Sequence, residues 1–163
     1  MYFTFAFSCF VATPIVNKCG ERFSITLGSV CYCLYIASFI LASASIKYPD
    51  EQSWYLEKGV IEATILFTAI INGFGAAILW VAQGRYISRI ATDSNKGTYY
   101  SIFWAVFMSC LIVGVLFGAI VLDNTDAFVF YCGMTALCIL ATLFFLLLRP
   151  IPFPKVQPSD GTE

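Results

Sequence analysis

Histidine is absent from this 163-residue chain, and Lys, Arg, Asp and Glu together supply only 12% of it. Without an imidazole no unperturbed side chain changes charge near neutral pH, which removes the commonest proton shuttle and with it most acid–base enzymes. Nine basic and ten acidic residues leave a net charge of −1, so a basic footprint for nucleic acid is missing too. The same scarcity excludes an ordinary soluble domain, whose core must be wrapped in a charged surface. Instead 60% of the residues are hydrophobic, against about 45–50% apolar in soluble domains, and the mean hydropathy is +0.82. Also lacking are a Gly-rich phosphate loop, a Ser or Cys nucleophile beside a base, paired intramembrane aspartates, a cofactor motif and an Asn-x-Ser/Thr sequon. Those gaps argue against ATPase, acyl-transfer and intramembrane protease chemistry. They point to a membrane protein that is not an enzyme and carries no cofactor.

Seven cysteines are present, but Cys9, Cys31, Cys33, Cys110, Cys132 and Cys138 lie inside apolar runs and only Cys19 lies in a polar connection. They read as small buried hydrophobes rather than a secreted disulfide framework. Cys31 and Cys33, one residue apart, lack the His or second Cys pair that a zinc site needs.

The apolar runs are Met1–Val16, Phe23–Ala44, Gly59–Ile87, Tyr99–Leu122 and Ala127–Leu148. Four of the five reach the roughly 20 residues with which a helix crosses about 30 Å of hydrocarbon. They are continuously apolar rather than alternating, which excludes barrel strands, and an open sheet edge is not viable in lipid. The expected fold is an all-α membrane protein of five transmembrane helices. A signal peptide is the alternative for Met1–Val16, yet the segment has no cationic start, carries Cys9 and Pro14 and has no convincing cleavage site. After the helical bundle, residues 1–148, comes a tail, residues 149–163, whose Pro150, Pro152, Pro154 and Pro158 cannot continue a helix.

Lys18 and Arg22, then Arg85, Arg89 and Lys96, then Arg149 and Lys155 fall on one side of such a chain, against Lys47 and Lys58 on the other. Seven cations against two make the first side cytoplasmic by the positive-inside rule. The C-terminal tail is then cytoplasmic and the N-terminus non-cytoplasmic. A bare Met on that outer face suggests that an earlier crossing is missing.

The third run carries most of the intramembrane polarity. At 100° per residue, Glu62, Ala69, Asn72, Gly73, Ala76, Gln83 and Gly84 share one arc of about 120°. This face is expected to look inward. Close packing of helices on the small residues is one reading, with the amides bonded to neighbours. The sharper reading is a ligand path, in which Asn72 near mid-membrane and Gln83 below it line a polar cavity. Glu62 falls near the end of a run about 43 Å long and is expected at the headgroups. In the fourth run Gly114 and Gly118 form a G-x-x-x-G pair, which marks close helix contact without saying whether the partner helix lies in the same chain.

Two stretches carry a family likeness. Gly73–Ile87, reading GFGAAILWVAQGRYI, and Ser101–Ser109, reading SIFWAVFMS, resemble the paired signature of the uncoordinated ion-channel-regulatory family (Unc-ninety-three type), a branch of the major facilitator superfamily. Upstream, Pro14–Gly28 and Cys31–Ala37 resemble the end of that family's second helix, its basic connection and its third helix. The resemblance implies that the five runs correspond to helices two to six of a six-helix N-terminal half, with the first helix and the C-terminal half missing. It also implies a role as a channel regulatory subunit, a chaperone of other membrane proteins or a transporter-like orphan, and it brings no catalytic residue. The partners it implies are the lipid bilayer and either another membrane protein, such as a channel or receptor, or the missing half of the same fold. Met108 stands where the family tends to have Gln, Val115 where Asn is usual, and Cys19–Arg22 echo only faintly a Gly-rich loop with Asp-Arg. A regulatory or trafficking subunit is therefore the expected function, and a small-solute facilitator the alternative.

Overall fold

The computed structural model describes residues 1–49 and 53–149. The expected Pro-rich tail from Pro150 onward lies outside the described residues. Five α-helices follow one another: α1 (Tyr2–Cys19), α2 (Glu21–Lys47), α3 (Lys58–Ile90), α4 (Lys96–Asn124) and α5 (Ala127–Phe145), with a short 3₁₀ turn at Trp54–Leu56 before α3. The chain is thus an all-α protein in which α2, α3, α4 and α5 are each long and apolar enough to cross a membrane. The helices overrun several of the apolar runs by a polar turn, because backbone groups at the membrane edge still need partners. Inside the spans, hydroxyls turn back onto their own helix, as in Ser43 Oγ to Phe39 O at 2.8 Å and Thr64 Oγ1 to Val60 O at 2.8 Å. A polar side chain in lipid is satisfied locally that way.

A single residue, Gly20, reverses the chain between α1 and α2. Its φ of 84° lies where only glycine is unstrained, and its carbonyl accepts the Ser24 hydroxyl at 2.7 Å. Pro14 lies within α1 without ending it. α1 runs parallel to α3 from the level of Asn72, where Met1 and Thr4 touch Gly73, towards the end that carries Arg89. α2 runs antiparallel to both.

α3 is the central helix, burying Ala69, Asn72, Gly73, Ala76, Ala77, Ile78 and Ala82 among others. Its approach to α2 depends on two glycines. A Cβ on Gly28 would sit 2.5 Å from Leu79 Cβ and 2.6 Å from the Gly75 carbonyl, and one on Gly75 would strike Cys31. The tight core is correspondingly small, formed by Ala12, Val16, Ile25, Ala77, Ile78 and Ala82. α5 lies antiparallel on the other flank of α2 through a ladder of contacts. The Arg22 guanidinium donates to the Leu146 carbonyl, Ser29 and Thr142 share a hydroxyl bond of 2.6 Å, Cys33 and Cys138 lie 2.9 Å apart, and Phe39 stacks on Tyr131 at 5.4 Å. α4 differs from the rest: none of its 29 residues is buried.

Candidate interhelical site

The described face of α3 brings only some of the expected residues together. Asn72 is wholly buried beneath the start of α1, its Nδ2 3.2 Å from Met1 Sδ. Thioether sulfur is a weak acceptor, and Asn72 Oδ1 has no hydrogen-bond partner among the described residues. An orphaned buried acceptor costs about 1–3 kcal/mol, so this amide is tolerated rather than stabilising. Gly73 beside it has no room for a side chain, since a Cβ would meet Thr4 and lie 2.6 Å from the Met1 carbonyl. Glu62 is exposed and faces Lys58 one turn earlier at 3.7 Å.

Gln83 lies in different surroundings, well down α3 from Asn72. It lines a cavity of about 630 Å³ between α2, α3, α4 and α5, which Asn72 does not reach. The other lining groups are overwhelmingly apolar or aromatic and include Ile36, Trp80, Phe103, Phe107 and Phe145. Gln83 Nε2 is shut off from solvent and makes no hydrogen bond among the described residues. The two amides of the expected ligand path are therefore in separate places, and the space at Gln83 is apolar rather than polar.

α4 closes this cavity with the first half of its length. Trp80 packs edge-on to Phe107 at 5.3 Å and stacks on Trp104 at 6.2 Å. The Tyr100 hydroxyl donates to the Gly84 carbonyl at 2.7 Å and also contacts Ser88 Oγ at 2.8 Å. Beyond Phe107 the helix leaves α3, and the two glycines expected to mark close contact separate in role. A Cβ on Gly118 would lie 3.7 Å from the Phe130 ring of α5, whereas one on Gly114 would meet nothing within 4 Å. Gly114 instead borders a 570 Å³ groove between α4 and α5, with Ala105, Ser109, Cys110, Met134 and Leu137.

At the basic end lies a cluster that inspection of single segments misses. Glu21, only 4% exposed, receives Arg85 Nε at 2.9 Å and Arg89 Nη1 at 2.8 Å on the same oxygen, Oε1. Charge-assisted bonds of this kind are worth more than neutral ones, and they fasten the start of α2 to the last turns of α3. Arg85 thus bonds across helices where a lone arginine near a helix end is expected to extend to the membrane surface. The one available signal was the placement of Glu21 and the two arginines at the same end of adjacent spans. At the opposite end Lys47 bridges Asp126 at 2.9 Å.

The family model described as "Ion channel regulatory protein UNC-93" matches residues 1–161. The UNC93-like protein MFSD11 of Xenopus tropicalis is 26% identical over 98% of this chain and 33% of its own length. UNC93-like protein 3 of Arabidopsis thaliana is 28% identical over 100% and 33%, and protein unc-93 homolog A of Bos taurus 26% over 83% and 29%. The chain spans about a third of the length of these curated relatives. No solved structure matches it.

Proposed function

The chain belongs to the UNC-93 family of ion channel regulatory proteins, and from that premise we propose that it acts as a membrane-embedded accessory subunit, regulating or escorting another membrane protein such as an ion channel. It does so without covalent chemistry, in the orientation that places the arginine-rich end in the cytoplasm. The observation that carries the reading is α4. In a bundle whose other four helices each bury at least one residue, this 29-residue helix buries none and offers Gly114 with open space above it. Small residues on an apolar helix permit backbone approach by a second helix, and in lipid such approach, not hydrophobicity, drives association.

The test is co-expression with ion channels, comparing wild type with Gly114→Leu. Leucine inserts at least as readily as glycine, so membrane levels should be unchanged. As an accessory subunit the wild type should alter channel current or surface density, and the variant should lose most of that effect. A facilitator would instead carry a solute in proteoliposomes as the purified chain, with Gly114→Leu indifferent. That result would replace the accessory reading.

A further inference from the structure

We infer that the cavity between α2, α3, α4 and α5 holds a fatty acyl chain whose carbonyl or carboxyl oxygen accepts a hydrogen bond from Gln83 Nε2. The lining has no charged side chain and leaves almost nothing for a sugar, an ion or an amino acid to bond. It does have one amide in its lining, Gln83, whose Nε2 is enclosed by protein atoms without a hydrogen-bond partner among the described residues, so that rotation of the carboxamide brings a free donor to a ligand in the cavity. A ligand matched to it is a long apolar body with a single acceptor.

Shape and depth agree. On α2 the lining runs from Ile25 to Ile36, about 16 Å at 1.5 Å per residue. An extended hydrocarbon chain matches that length and an apolar lining. With the hydrocarbon centred on the apolar run Gly59–Ile87, a slab about 30 Å thick ends some ten residues from the centre. Gln83 stands at that boundary, at the depth of lipid ester and carboxyl groups. From there the lining continues inward past Trp80 and Phe107 to Ile36, the direction an acyl tail takes from its head.

The experiment uses the full chain in bilayer nanodiscs with three photoactivatable probes of equal length, each bearing a diazirine on the chain: palmitic acid, a phosphatidylcholine with the same acyl chain, and the plain alkane. Labelled residues are mapped by mass spectrometry. A bound acyl chain should give saturable labelling of Tyr32, Ile36 and Phe107. Labelling by the free acid or by the phospholipid identifies which source supplies the chain. The Gln83→Leu variant, similar in size and uncharged, should lower labelling by the oxygen-bearing probe about three- to tenfold, the value of one hydrogen bond, and leave the alkane unaffected. Ile36→Trp should abolish cavity labelling while outer positions such as Ile112 and Val115 keep theirs. Should that variant fail to insert, Gln83→Leu decides alone. Labelling confined to the outer positions, or equal labelling by acid and alkane in the wild type, overturns the inference.

Discussion

Glu21 is the residue on which the basic end turns. Its carboxylate is buried and shared by two guanidinium groups, and breaking a buried pair from one side costs about 3–5 kcal/mol because charge is left without its counter-ion. Glu21→Gln should therefore lower the unfolding temperature of the purified protein clearly, and an unchanged transition would show that the arginines are adequately solvated without it. At Gly73 the opposite problem arises, since a side chain has no space beside Thr4 and the Met1 carbonyl. Gly73→Val should cost about 1–3 kcal/mol by overpacking and release α1, read as faster proteolysis of residues 1–19. Gly114→Val should cost little by the same measurement, because nothing faces it. These differences were only partly legible in the sequence. Glycine spacing identified helix surfaces where something small is needed, but whether the neighbour is Met1, Phe130 or open space depends on the path of another helix. Likewise Glu21 and Arg89 are bonded across 68 positions, a pairing that no local pattern encodes.

Among the elements, α2 and α5 make the most regular contact, from the Arg22–Leu146 bond at one end to the Lys47–Asp126 bridge at the other. Between them Cys33 and Cys138 have sulfurs 2.9 Å apart, longer than the roughly 2.05 Å of a disulfide but within reach of a small rotation. A membrane-permeant oxidant such as iodine, which takes up the two electrons while the thiols release two protons, should link them. After proteolysis between α2 and α5, the two fragments should co-migrate without reductant and separate with it. Failure to link would contradict the antiparallel register of these two helices. The helices themselves were readable, because continuous apolar runs of this length leave few other structures in lipid. Their neighbours were not. Periodicity assigns α3 a polar face, yet it cannot tell that Asn72 is covered by α1 while Gln83 opens on an aromatic cavity made with α4.

For the molecule as a whole, membership of the UNC-93 family and the apolar helices agree on a multi-pass membrane protein of transporter-like type, while its orientation rests on charge. If the arginine-rich end is cytoplasmic, Cys19, exposed at the close of α1, should resist an impermeant thiol reagent on intact cells and react once the membrane is opened. Labelling from outside would invert the topology. That much follows from where lysine and arginine stand in the sequence. The partner does not, because small residues mark where a second helix can approach without saying which helix it is.

The accessory role is tested most directly by what touches α4 in the native membrane. A photoreactive benzophenone amino acid in place of Phe117, an exposed aromatic that lines the same groove as Gly114, would report its neighbour on irradiation while leaving the space above Gly114 open. An accessory subunit should yield an adduct with a second polypeptide of channel or receptor type, lost when Gly114→Leu is added. Adducts with lipid alone would contradict that role.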